Sequence, residues 1–148
     1  MMGELQELGR AVKQAQYRQH RALDTALSTV GTTLAQWDAL RAIGRAAGAS
    51  ARELAAATFQ SEQAFGALVG RLTAQGVVER RPGHGRRIEH HLTSAGERTL
   101  AAADKIADEV LATCFAALPA ADRVTLLDLL RRLNAEEAGR PGRVSRPD

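Results

Sequence analysis

The chain has 148 residues, 45% hydrophobic and only 3% aromatic; that is enough to bury one core, and it favours packed helices of Leu, Ala, Val and Ile over a sandwich of strands. Lys and Arg exceed Asp and Glu by 20 to 17, a formal net charge of +3 that excludes little by itself, so where the basic residues sit matters more than their sum. A single cysteine, Cys114, excludes an intramolecular disulfide and a cysteine-rich metal cluster, and with no apolar signal-like region in Met1 to Arg10 and no bilayer-length apolar run, the expected compartment is the cytoplasm.

Apolar residues recur at helical spacing from Leu5 to about Ser28 (Leu5, Leu8, Val12, Ala15, Leu23, Leu27), which predicts a long first helix. Gly31, Thr32 and Thr33 interrupt it. Thr33 with Gln36 then forms a capping-box pattern ahead of Leu34, Trp37, Leu40 and Ile43, so a second helix starts near Leu34. Gly44 and Gly48 loosen the next stretch, and Ser50 with Glu53 caps a short third helix over about Ala51 to Thr58. Ser61 caps a fourth from Glu62 to about Gln75, with Phe65, Leu68, Val69 and Leu72 as its inward face and Gly76 ending it.

The helical period stops there. Val77 to Arg81 reads as a strand, Pro82 to Gly85 as a turn, and Arg87 to Thr93 as a returning strand, together a β-hairpin. Ser94 with Glu97 suggests a third capping box opening a fifth helix to about Leu118, whose apolar register (Ile106, Val110, Leu111, Cys114, Phe115, Leu118) assigns Cys114 to core packing. Pro119 starts a sixth helix with Val124, Leu127, Leu130 and Leu133 on its apolar face. From Ala138 the composition cannot bury anything, and a disordered basic tail is expected.

The expected fold class is thus mainly α with a small β-hairpin. Two short helices followed directly by a hairpin with a charged turn describe a winged helix-turn-helix, whose second short helix enters the major groove of DNA. Between Arg71 and His91 stand Arg71, Arg80, Arg81, Arg86 and Arg87 against only Glu79 and Glu89, a local basic patch of the kind that phosphate binding requires. A solvated, Arg-rich hairpin would also explain the charge, but its position beside a capped helix favours DNA. The long apolar end helices exceed what the central module can cover, and a second copy of the chain is the simplest partner.

Thr33-Leu-Ala-Gln-Trp-Asp-Ala-Leu-Arg-Ala-Ile43, Glu53-Leu-Ala, the run from Leu68 to Arg81, Gly85-Arg-Arg and Leu92-Thr-Ser-Ala-Gly96 resemble, in order and spacing, the MarR family of bacterial transcriptional regulators, over about Leu5 to Leu133. The resemblance implies a winged helix-turn-helix lobe over 31–93, a dimerisation helix over 1–30 and dimerisation helices over 94–137, leaving 138–148 as the tail. It implies that Ser61, Gln63 and Ala64 lie at the groove-facing start of the recognition helix, Arg71 near its end, Arg86 in the minor groove, and Arg81 and Arg87 on phosphates. It further implies a homodimer on a pseudo-palindromic duplex site acting as a repressor, released by a small aromatic or phenolic effector; Tyr17, His20 and Trp37 are candidates to line that crevice, although a Trp on an apolar helix face is more often core. The chain departs from the family pattern at His84, where an acidic residue is usual, and at Ala64, Gly66 and Ala67, which leave few direct donors for bases. An architectural or weakly specific DNA-associated protein is therefore the alternative, and a protein-binding module without DNA affinity a third reading.

His84, His90 and His91 suggest a metal site, but adjacent strand residues face opposite sides and His90 and His91 do not readily share an ion, which leaves phosphate contact, as for His84, or plain exposure. No phosphate-cradling glycine loop, nucleophile elbow or HExxH motif is present, so neither an enzyme nor a cofactor is expected.

Overall fold

The computed structural model describes residues 2–138, so the tail from 139 onward lies outside the described residues. The chain runs α1 (Met2–Leu27), a 3-10 turn (Ser28–Val30), α2 (Leu34–Arg45), α3 (Ala51–Ala57), α4 (Glu62–Ala74), β1 (Val78–Pro82), β2 (Ile88–Leu92), α5 (Ser94–Cys114) and α6 (Ala120–Ala138). It divides into two compact units, Met1–Leu111 and Ala112–Asp148.

In the first unit the helix starts follow local chemistry. Thr33 Oγ1 accepts the Gln36 N–H at 3.1 Å while the Gln36 side chain accepts the Thr33 N–H at 3.1 Å, and Ser50 and Glu53 repeat the exchange at 3.3 and 3.2 Å. Both boxes satisfy donors that a bare helix start would leave orphaned. Ser61 Oγ accepts the Ala64 N–H at 3.1 Å at the head of α4, and Gly76 follows that helix in the left-handed region (φ 76°), where a glycine carries no Cβ penalty.

The start of α5 corrects one expectation. Its cap is Thr93, not Ser94: Thr93 Oγ1 accepts the Gly96 N–H at 3.0 Å and donates to the Gly76 carbonyl at 2.6 Å. Thr93 wins because its hydroxyl serves both the new helix and the turn behind it, whereas Ser94 is exposed. Gly96 is buried one turn in, and a Cβ there would overlap the Val77 carbonyl oxygen. The glycine of the Leu92-Thr-Ser-Ala-Gly96 stretch is thus a close-approach residue that lets α5 lie on the strand entry.

Two apolar clusters hold this unit. Leu40, Ile43, Leu54, Phe65, Leu68, Val69, Leu72 and Val78 bring α2, α3, α4 and β1 together, and Leu23, Leu27, Trp37, Ala103 and Ala107 join the C-terminal half of α1 to α2 and α5. Dispersion and apolar burial hold both, without a large aromatic content. The hairpin pairs antiparallel from Val78 with Leu92 to Pro82 with Ile88. A third edge joins it: the Gly48 N–H donates to the His90 carbonyl (3.0 Å) and the His90 N–H to the Ala49 carbonyl (3.1 Å). A segment whose glycine spacing reads as a loose loop therefore anchors the base of the hairpin.

The second unit comprises the end of α5 and α6. Helix α5 stops at Cys114, four residues short of the expected Leu118, because the residue ahead of Pro119 is disfavoured in helical conformation and the chain closes into turns, with Leu118 N–H donating to Phe115 carbonyl at 3.0 Å. Cys114 is exposed, which corrects its assignment to core packing. Its helical register says which side it shares with apolar neighbours, not whether that side is covered. On α6 Val124, Leu127, Leu129, Leu130 and Leu133 are 38–69% exposed, and at 100° per residue they occupy more than half of the helix circumference.

Candidate nucleic-acid interface

Helix α4 turns Phe65, Leu68, Val69 and Leu72 inward, so the opposite side is fixed by the 3.6-residue period. That side exposes Ser61, Glu62, Gln63, Ala64, Ala67 and Arg71. Its polar groups are unequally available. The Ser61 hydroxyl caps the helix, the Thr73 hydroxyl donates back to the Val69 carbonyl (2.7 Å), and Glu62 faces Arg52 of α3 at 3.7 Å. Gln63 and Arg71 carry no hydrogen bond or ion pair among the described residues, so they are the donors this face can offer a base edge or a phosphate. Ala64 and Ala67 present methyl groups only.

The hairpin that follows sorts its charges by face. Glu79 and Arg81 of β1 stand across from His91 and Glu89 of β2, and they pair along their own strands: Arg81 donates to Glu79 at 3.0 Å, and His91 meets Glu89 at 3.0 Å. The Arg81 guanidinium holds the Glu79 carboxyl below its ordinary range. On the other face His90 is 3% exposed and its Nδ1 meets the Ala49 carbonyl at 2.9 Å. His90 is therefore neither a phosphate contact nor plainly exposed, a correction that follows from the extra edge at Gly48 and Ala49.

At the tip, Gly83 N–H donates to the Arg87 carbonyl (2.8 Å) and Arg87 N–H to the His84 carbonyl (3.2 Å), with Gly85 at φ 65° between them. His84 and Arg86 are exposed, and neither has a hydrogen-bond or ion-pair partner among the described residues. Arg87, by contrast, is tied down: it donates to both Glu53 carboxylate oxygens (2.8 and 3.0 Å) and to the Gly48 carbonyl (3.0 Å). The two-pronged hydrogen bond from Arg87, helped by the Ser50 N–H, pulls the Glu53 carboxyl from 4.5 to about 2. Of the five arginines in the basic patch, Arg81 and Arg87 thus hold carboxylates, while Arg71, Arg80 and Arg86 are unpaired among the described residues. Arg80, which the sequence reading counted but did not single out, belongs with Arg71 and Arg86; the strand alternation that puts Arg81 on the face of Glu79 and Arg80 on the other is the local signal for it.

Of the three candidate ligand residues, Trp37 is buried, with its Nε1 donating to Asp104 (2.9 Å) and the Arg41 guanidinium 4.3 Å above its ring. It also borders an open cleft of about 710 Å³ that Arg41, Arg45, Arg81, His91 and Asp108 line as well. Tyr17 and His20 are exposed on α1 and are not among that lining; Tyr17 pairs with Arg21 (3.4 Å). Burial raises the Asp38 carboxyl above its ordinary range, opposed by Arg41 and His20. The sequence reading missed Arg41 and Arg45, yet a signal was present: Trp37, Arg41 and Arg45 follow one another at i, i+4 and i+8, one side of one helix.

The model of the MarR family matches residues 30–88. No curated protein matches the chain. Among solved structures, a mutant Escherichia coli MarR complexed with operator DNA superposes with a TM-score of 0.80 at 26% identity, covering 90% of this chain and 97% of that one. A Mycobacterium tuberculosis MarR family protein in complex with p-aminosalicylic acid gives 0.73 at 25% identity, covering 86% and 98%. A probable transcriptional regulator from Pseudomonas aeruginosa gives 0.76 at 28% identity, covering 84% and 95%.

Proposed function

We propose that the chain is a winged helix-turn-helix transcriptional regulator of the MarR type rather than an enzyme, a homodimeric repressor that binds a pseudo-palindromic duplex site in the cytoplasm; the family match over residues 30–88 and the likeness to solved MarR structures support this. Two copies of α4 enter successive major grooves, roughly 34–36 Å apart. The observation that carries this reading is the pairing of an unpartnered Arg86 at the hairpin tip with an α4 face whose free polar groups are Gln63 and Arg71. Arg86 suits a narrow minor groove, where negative potential concentrates. Ser61, Gln63 and Ala64 meet base edges at the head of α4, and Arg71 and His84 meet phosphates. Arg81 and Arg87 have their charge offset by Glu79 and Glu53 and are the weaker phosphate contacts. The E. coli relative's complex with operator DNA supports the same use of the fold.

The unpartnered apolar residues of α1 (Leu5, Leu8, Val12) and of α6 support a second copy, since each set is too large and exposed for a solvated monomer. No helix among the described residues is long and apolar enough to cross a membrane. The cleft beside Trp37 is the site we assign to an aromatic acid effector: Arg45 and Arg41, the latter stacked on the Trp37 ring, suit a carboxylate, and Leu92, Leu100 and Leu111 supply an apolar wall. The Mycobacterium tuberculosis relative, in complex with p-aminosalicylic acid and, separately, with salicylic acid, supports that ligand class. Tyr17 and His20 take no part in this version of the site.

The methyl-only surface of Ala64 and Ala67 favours one second reading, an architectural protein of low sequence preference. Mobility-shift titrations of the chain's own upstream region against scrambled duplex at two salt concentrations separate the two. A large specificity ratio supports the repressor, uniform salt-sensitive binding supports the architectural protein, and absence of binding refutes both.

A further inference from the structure

We propose that Arg87 is a positioning residue that aims Arg86, rather than a contact to DNA itself; this rests on the DNA-binding reading above. Its backbone closes the tip of the hairpin from both sides, accepting from Gly83 (2.8 Å) and donating to His84 (3.2 Å). Its side chain ties that tip to the head of α3 through Glu53 and to the preceding loop through Gly48. Arg86 lies inside the closed turn, exposed and without a partner among the described residues, so the backbone that carries it is fixed by the bonds of the residue after it. The same edge is held at its base by the Gly48 and Ala49 bonds to His90.

The chemistry of the tie is specific to a guanidinium. Exposed ion pairs generally contribute little, but a planar fork on both oxygens of one carboxylate, with a third bond to a carbonyl, fixes direction as well as distance. Glu53 is itself held by the capping box with Ser50, so the tie ends on a carboxylate with little freedom. Lysine would keep the charge and lose the fork. These three bonds occupy three of the guanidinium N–H donors and set its charge against Glu53, which leaves Arg87 a weaker phosphate ligand than Arg86.

The test uses the full chain and a fluorescent duplex recovered by selection from a random-sequence library. Glu53→Gln preserves the capping box, since Gln serves at that position, while removing the charge that holds Arg87. A phosphate-seeking Arg87 would be released by that change, and affinity would rise. A positioning Arg87 predicts the opposite: affinity falls about three- to tenfold, Arg87→Lys falls as far as Arg87→Ala, and the slope of log affinity against log salt stays that of the parent, whereas loss of a phosphate contact lowers it by about one. In the Glu53→Gln background, Arg86→Ala costs less than half the factor it costs alone. Without DNA, amide exchange at Gly83 and Arg87 quickens about tenfold in Glu53→Gln. Tighter or unchanged binding by Glu53→Gln, a lowered salt slope in Arg87→Ala, or unchanged exchange at the tip overturns the proposal. Failure of the parent chain to enrich any duplex overturns the DNA reading itself and takes the positioning role with it, and that outcome appears before any variant is compared.

Discussion

The central lobe and the end helices of this chain are built to different rules. From Leu34 to Leu92 each helix is capped, each apolar face is covered, and Phe65, Leu54 and Ile43 are fully buried. In α6 and the first half of α1, leucines at helical spacing stand 38–70% exposed, with charged residues interleaved. Amphipathic patterning looks alike in both, yet one region closes on itself and the other does not. The lesson is that a helical apolar register reports an intention to be covered, and only packing shows whether the cover comes from the same chain.

The largest expected effect breaks this comparison at its open end. Leu127→Glu with Leu130→Glu puts charges where a second copy is proposed to sit. At about 1.5–3 kcal/mol per leucine, counted twice in a symmetric pair, it should abolish dimerisation while the lobe still folds. Size-exclusion chromatography with light scattering checks this, and an unchanged mass for the variant would show that α6 is not the interface.

A second substitution tests the closed region. Gly96→Ala drives a Cβ into the Val77 carbonyl, and because the obstacle is backbone it should cost about 3 kcal/mol of stability, read as a lowered midpoint of chemical denaturation. A variant as stable as the parent would mean that α5 does not lie this close to the strand entry.

Smaller and confined to the hairpin is the effect of acid on Glu53. Its carboxyl is depressed from 4.5 to about 2, chiefly by the Arg87 hydrogen bonds, so the stabilisation is complete above pH 4.5 and is lost as pH falls toward about 2. An NMR titration of the Glu53 carboxyl carbon should give a midpoint near 2, and in Arg87→Ala it should return toward 4.5. A parent midpoint already at 4.5 would mean the tie is not formed in solution.

Smallest is Phe59, which sits between α3 and α4 with φ 58° and its side chain 98% exposed. A left-handed conformation costs a residue bearing a Cβ about 1–2 kcal/mol, and glycine returns part of this as chain entropy of about 0.5–1 kcal/mol. Phe59→Gly should therefore raise stability by up to about 1.5 kcal/mol, the difference of those two ranges. Destabilisation would reveal an apolar contact for the ring.

What could be read from residues alone follows the range of the interactions. The boxes at Thr33 with Gln36 and at Ser50 with Glu53, the inward face of α4 and the turn at Gly83 to Gly85 depend on neighbours within four residues, and their patterns suffice. The Thr93 cap was misassigned by one residue because its second bond, to Gly76, reaches 17 residues back. The tie between Arg87 and Glu53 spans 34 residues, and the edge from Gly48 and Ala49 to His90 is two residues long with no strand pattern of its own. For the same reason a count of arginines located the basic patch but could not divide it fully into paired and unpaired members. The pairing of Arg81 with Glu79 is two residues long, but that of Arg87 depends on where Glu53 lies in space.

The account rests on one charged hairpin and one α4 face per chain, presented twice. Sedimentation velocity of the chain mixed with a labelled, selected duplex measures this directly, because each bound copy adds 15.8 kDa to the labelled species. Two chains per duplex, with the same mass step retained at dilution until the whole complex dissociates, is the predicted result. A single chain on the duplex, or a duplex that sediments as free DNA at every protein concentration, would contradict it.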